Sequence, residues 1–253
     1  MNKTLLPWND FDTGIVVAFL STGIGFSVYW FQTVNSKTRS FFFHKFSGDW
    51  RWVLYIGWQR VTGFILMGII PLIAMTTLTH YTTTSLAWRS FDLLGTLSWS
   101  VPMTALILPL TYFATRRIDS LRTYPQMRVS SWRPLIIFVN SSSWLLYLLG
   151  YEMLFRGILL TVCLDQLGFF TALSINLTIY AITHIPKGAN ETIGSFLYGM
   201  VVCVATVTTG NIAVAVVTHV AMALFNDYFS VLHSKEMRFV FTPVEETTNH
   251  YQP

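Results

Sequence analysis

Apolar residues in this chain gather in seven long blocks, at about 14–34, 53–77, 93–114, 134–165, 169–185, 192–209 and 211–233. Several run for roughly 18 residues or more with almost no charge, the length needed to cross about 30 Å of hydrocarbon. The pattern predicts an all-α fold, a polytopic transmembrane helical bundle of about seven spans, with eight as the upper count. The fourth block is too long for one perpendicular crossing, so it is either one long tilted helix or two elements broken near Gly150. Trp30, Trp52, Trp88, Trp132 and Tyr228 fall near block ends, where aromatic belts meet the headgroups.

Composition agrees. Of 253 residues, 53% are apolar and only 11% are charged, against about 25% charged in an average soluble domain. A soluble domain of this size needs more polar surface than that. The lipid bilayer is thus one partner, and the formal net charge of +4 does not point to nucleic acid. Two loops carry most of the positive charge. "NSKTRSFFFHKFSGDWR" holds Lys37, Arg39, Lys45 and Arg51, and "TRRIDSLRTYPQMRVSSWR" holds Arg116, Arg117, Arg122, Arg128 and Arg133. Two blocks separate them, so both fall on one side, which the positive-inside rule makes cytoplasmic. Seven spans then put the amino terminus outside and the carboxyl tail inside. The opening "MNKTLLPWNDFDTG" shows no small-residue cleavage site, so the first block is expected to stay as a span. Cys163 and Cys203 lie inside apolar blocks and read as small buried hydrophobes. The expected localisation is a multi-pass integral protein of the cytoplasmic membrane.

Four polar positions interrupt the later blocks: Glu152 and Arg156 in "LLYLLGYEMLFRGILL", His184 in "IYAITHIPKG" and His219 in "AVVTHVAMALFND". The blocks before residue 133 offer little ionisable chemistry beyond Gln59 and Arg60. The chain therefore divides into supporting helices over 1–133, a core with the polar site over 134–233, and a polar tail over 234–253. Glu152 and Arg156 are four apart and share a helix face, so one reading is a self-neutralising pair. A lone histidine in a membrane helix is often a hydrogen-bonded packing residue. Asn226 lies seven residues beyond His219 on the same face, Asp227 reads as interfacial, and Tyr151 and Tyr180 read as packing or belt aromatics. Taken together, a carboxylate, a guanidinium and two imidazoles on neighbouring spans suit three chemistries. They can activate water for hydrolysis, hold Zn²⁺ through Glu152, His184 and His219, or relay protons in a small transporter. The residues alone leave the three open.

The strings "YEMLFRG", "YAITHIP" and "TGNIAVAVVTHVAMALFN" resemble the CPBP family, the CAAX-processing and bacteriocin-related intramembrane proteases, over about residues 134–233. That family carries Glu-Glu-x-x-x-Arg, an aromatic-x-x-x-His motif, and a final His with Asn or Asp four residues on. The resemblance maps Glu152 onto the second glutamate and Phe155, Arg156 and Gly157 onto the end of the first motif. Tyr180 and His184 map onto the second motif, and His219 onto the last histidine. It implies hydrolysis of a membrane-associated peptide or protein by a Glu- and His-activated water, with Glu152, His184 and His219 as catalytic residues and Tyr151, Arg156, Tyr180 and Asn226 in support. No cofactor is required on that mechanism, and Zn²⁺ is the alternative.

Two positions depart from the pattern. Tyr151 stands where the first glutamate, the family's usual water activator, is expected, and Ala223 stands where the final Asn or Asp is expected. Adjacent helical side chains point about 100° apart, so Glu152 cannot take over position 151 without rotating Arg156 as well. The departures raise a second reading, a catalytically silent relative acting as a binding, immunity or maturation factor. A proton-coupled transporter is third, because the early spans lack the Gly- and Pro-broken helices of such sites.

Overall fold

The computed structural model describes residues 10–90 and 92–241. Ten helices run through them: α1 (Asp10–Val34), α2 (Ser36–Lys45), α3 (Trp50–Leu78), α4 (Thr83–Ala87), α5 (Leu93–Ala114), α6 (Ile118–Thr123), α7 (Pro134–Leu167), α8 (Phe169–Ile182), α9 (Ala189–Thr209) and α10 (Ala213–His233). The fold is all-α, apart from a two-stranded parallel pairing of β1 (Ser131–Trp132) with β2 (Arg238–Phe239). Six helices, α1, α3, α5, α7, α9 and α10, are long and apolar enough to cross a membrane. The fifth predicted block is shorter than expected. Its helix, α8, has 14 residues, about 21 Å at 1.5 Å per residue, and ends before Pro186 where a 3-10 turn, Ile185–Lys187, takes over.

The fourth block resolves as one long helix. Pro134 opens α7 at a position where its missing N–H costs nothing. The helix then runs to Leu167 with a π segment, Met153–Leu160, in place of a break. Gly150 is a contact point. A Cβ on Gly68 of α3 would stand 2.8 Å from the Gly150 Cα, and one on Gly150 would stand 2.9 Å from the Phe64 Cα. The two backbones touch because neither carries a side chain, the usual way membrane helices pack closely. Gly150→Val is expected to cost about 1–3 kcal/mol, the range for an overpacked core, read as a lowered unfolding temperature in detergent micelles. Gly57→Val, with open space around its Cα, serves as control; equal losses for the two would show that the crossing is not tight.

Helix α7 lies at the centre, 78% of its best span window buried, whereas α5 lies at the periphery with 11% buried. Around α7 pack α3, α10 and α1, with α8 and α9 against its π segment. Both basic loops meet at one end, as the charge pattern predicts. The Asp49 carboxylate accepts from the backbone N–H of Ser130 at 3.2 Å and of Ser131 at 3.4 Å, and Arg238 N donates to the Ser130 carbonyl at 3.0 Å. Trp132, expected in an interfacial belt, is instead fully buried there against Tyr228 and Phe239. The predicted polar tail is therefore folded back as far as Phe241, and its remainder lies outside the described residues.

Candidate active site

One seam, between α7 and α10, carries most of the buried polar groups. Helical periodicity puts Trp144, Leu148, Tyr151 and Glu152 on one side of α7, and His219, Ala223, Asn226 and Asp227 on the facing side of α10. At the inner end of the seam, Glu152 and Arg156 form the i,i+4 pair that their spacing predicts, Oε2 to Nη1 at 2.9 Å, both fully buried. The other carboxylate oxygen, Oε1, faces His219 Nδ1 at 2.5 Å. The Arg156 guanidinium lies over the Tyr180 ring, 4.0 Å from its centroid. Glu152 therefore holds Arg156 with one oxygen and orients His219 with the other.

Tyr151 takes the cavity-facing position that the motif resemblance implies for the first glutamate, and Glu152, about 100° round the helix, stands behind. The Tyr151 ring lies between the two histidines, 5.7 Å from the His219 ring and 6.5 Å from that of His184. Its hydroxyl meets Thr183 Oγ1 at 3.0 Å. His184 Nδ1 reaches the Tyr180 carbonyl at 2.9 Å. A carbonyl only accepts and a carboxylate accepts by preference, so each histidine carries its proton on Nδ1. Each Nε2 then presents a lone pair, and neither is buried or met by another residue. Asn226 lines the same cavity two turns from His219, while Tyr180 packs against His184 with ring centroids 4.7 Å apart.

The cavity encloses about 580 Å³. It extends from Tyr151, His184 and His219 to a mouth at the basic-loop end, where Arg117, Asp119, Lys187 and Glu191 line it. Tyr124, in the second basic loop, donates to Glu191 Oε1 at 3.4 Å across that mouth. Burial, with the Glu191 carboxylate beside it, pushes the Tyr124 phenol well above the usual range, so it stays a donor at neutral pH. The amino-terminal helices also contribute wall: Phe26 and Tyr29 from α1, Gln59 and Arg60 from α3.

A second buried cluster sits two turns along the seam toward the mouth. Asp227, read from sequence as interfacial, is fully buried and stands 3.6 Å from Arg60. Trp144 Nε1 donates to Asp227 Oδ2 at 2.6 Å. Arg60 donates to Asn140 Oδ1 at 2.8 Å, to Ser143 Oγ at 2.9 Å and to Gln126 Oε1 at 3.2 Å, and its Cζ lies 3.8 Å from the Trp144 ring centroid. The available signal was periodic. Asp227 is eight residues from His219 and Trp144 eight from Glu152, so both fall on the faces that carry the first site. Thr183 and Tyr198, which no pattern singles out, complete the inner site through their hydroxyls.

The residues suggested for Zn²⁺ do not make a ligand set as arranged. Both Glu152 oxygens are taken, one of them by a guanidinium, which leaves two imidazole nitrogens where a catalytic zinc uses three protein ligands. Among the described residues no group of three or more His, Cys, Asp or Glu side chains could hold a metal ion.

Residues 131–225 match the family model described as type II CAAX prenyl endopeptidase Rce1-like. No curated protein and no solved structure is similar enough to this chain to count as a match. The matched segment begins at β1, spans all of α7, α8 and α9, and includes Tyr151, Glu152, Arg156, Tyr180, His184 and His219. The resemblance read from the motifs is thereby borne out: within a multi-pass helical membrane protein, residues 131–225 match the Rce1-like family model, consistent with the CPBP family.

Proposed function

We propose that the protein hydrolyses a membrane-associated peptide or protein segment that enters the cavity from the basic, cytoplasmic face. The observation that carries this reading is the 2.5 Å contact between Glu152 Oε1 and His219 Nδ1, which leaves His219 Nε2 as an oriented base at the cavity. A carboxylate behind an imidazole fixes its tautomer and favours the protonated ring that forms when the outer nitrogen takes a proton. In the proposed reaction, His219 Nε2 takes a proton from water as the hydroxide adds to the carbonyl carbon. The C–N bond then breaks, and the leaving amine takes the proton back. His184 is the second base within the same space, and Arg156 holds Glu152 in place.

Mass spectrometry of membrane-peptide digests tests this. Wild type is expected to cleave, and His219→Ala to lose about 10²-fold or more, the usual contribution of a positioned acid–base group. Glu152→Gln is expected to lower kcat with little change in KM. Cleavage that survives both His219→Ala and His184→Ala sinks the proposal.

A second reading, binding without cleavage, is favoured by one specific feature: Tyr151 occupies the cavity position where the family places its first carboxylate. On that reading labelled peptides bind to wild type and no product forms. Tyr151→Glu would then create activity.

A further inference from the structure

The inner end of the cavity has a hydrogen-bonding polarity that the peptidase reading uses only at His219. Thr183 Oγ1 donates its only proton to the Tyr180 carbonyl at 2.7 Å. The 3.0 Å contact between Thr183 and Tyr151 is therefore a donation by the Tyr151 hydroxyl. The same relay is repeated across the cavity. Thr218 Oγ1 donates to the Val214 carbonyl at 2.8 Å, so Tyr198, 2.9 Å from Thr218 Oγ1 and 3.3 Å from the Ala215 carbonyl, spends its own proton on that side. Ser195, one turn from Tyr198, donates to the Thr192 carbonyl at 2.7 Å. Each of these oxygens is left with lone pairs alone. They join the Nε2 lone pair of His184, while that of His219 is left for water.

Those groups form one cluster. The His219 ring lies 5.7 Å from that of Tyr151 and 5.5 Å from that of Tyr198, and all of them line the cavity. Aromatic faces surround the acceptors, and such rings already bind cations in this protein: Arg156 lies over Tyr180 and Arg60 over Trp144. The charged groups around the cluster come in pairs. Arg156 is matched by Glu152, Arg60 by Asp227 and Lys187 by Glu191, the last at 3.8 Å. Within the cluster itself, the acceptors and ring faces set the preference. Leu148, Met222 and Ala223 line the approach, an apolar channel suited to methylene groups.

We infer that the Tyr151–Tyr198–His184 end of the cavity, beside His219, is a subsite for a cationic side chain, the lysine or arginine of a bound peptide. A hydroxyl offers one donor, a primary ammonium three and a guanidinium five. Only a cation also gains from the ring faces. The inference deepens the proposed function by naming what the peptide presents to the histidines, and it rests on the reading that a peptide enters this cavity.

The test is isothermal titration of the full-length chain in detergent micelles with n-butylammonium, against the uncharged n-pentanol, and with capped lysine peptides against their norleucine counterparts. The amine is expected to bind and n-pentanol to bind at least tenfold more weakly. Tyr151→Phe and Tyr198→Phe keep the rings and remove one acceptor each. Each is expected to weaken the amine about tenfold, the lower end for a hydrogen bond to a charged group, with unfolding temperatures checking that both fold. Equal affinity for n-pentanol, or unchanged affinity in both phenylalanine variants, overturns the inference. So does Zn²⁺ binding, reversed by EDTA, with no amine binding. Amine binding without any peptide binding or cleavage supports the subsite and rejects the proposed function. Cleavage or binding of norleucine peptides with no amine binding does the reverse.

Discussion

Replacing Glu152 with leucine is expected to unfold much of the protein, and Arg156→Met to do less damage. Arg156 is fully buried, and its counter-charge is the Glu152 carboxylate at 2.9 Å. Without Glu152 a whole guanidinium is stranded without a counter-charge against the Phe155 and Tyr180 rings. Breaking a buried pair from one side costs about 3–5 kcal/mol, because the surviving charge has no partner and no water. Arg156→Met leaves Glu152 still joined to His219 at 2.5 Å, so its cost falls at the lower end. The double substitution Glu152→Leu/Arg156→Met removes both charges and is expected to recover most of the loss, since buried pairs replaced by apolar residues are often near neutral. Unfolding temperature and folded yield in detergent give the ranking. A double variant no better than Glu152→Leu alone would show that the pair does more than neutralise itself.

The second large effect concerns the outer cluster and has the opposite asymmetry. Arg60 keeps Asn140, Ser143 and Gln126 as partners when Asp227 is changed. Asp227 loses its counter-charge when Arg60 is lost, and the Trp144 indole that still donates to it is neutral. Arg60→Met is therefore expected to cost about 3–5 kcal/mol. Asp227→Asn, which retains an acceptor for Trp144, is expected to cost about 1–2 kcal/mol, the scale of a weakened hydrogen bond to a charged group. Chemical denaturation in mixed micelles separates the two. Equal losses would mean that the 3.6 Å Arg60–Asp227 pair, rather than the neutral hydrogen bonds, holds the seam.

These two clusters differ in how readily they could be read in the linear chain. Glu152 and Arg156 are four apart in one helix, and the helix itself sets their distance. Arg60 and Asp227 are 167 residues apart, and only the packing of α3 against α7 and of α7 against α10 joins them. Asp227 sits next to a block end, where lipid headgroups are the simplest environment, so its burial depends on Trp144 and Arg60 closing over it from other helices. Trp132 was displaced from its expected belt for a similar reason. The chain returns after α10 and lays Phe239 against it, a contact with no local signal.

Local rules settled much of this protein. Lipid cannot hydrogen-bond the backbone, so long apolar blocks are confined to helices, and the block pattern gives the all-α bundle and the shared end of both basic loops. The 100° step between neighbouring side chains keeps Tyr151 and Glu152 from facing the same way, and the motif resemblance points Tyr151 at the cavity. Tertiary packing decided what those local rules cannot. It seats His219 against Glu152 from 67 residues away, buries Asp227 beneath Arg60 and lays Gly68 of α3 against Gly150 of α7. It also commits the Tyr151 and Tyr198 hydroxyl protons to threonines whose own protons are already spent, which leaves lone pairs on both oxygens.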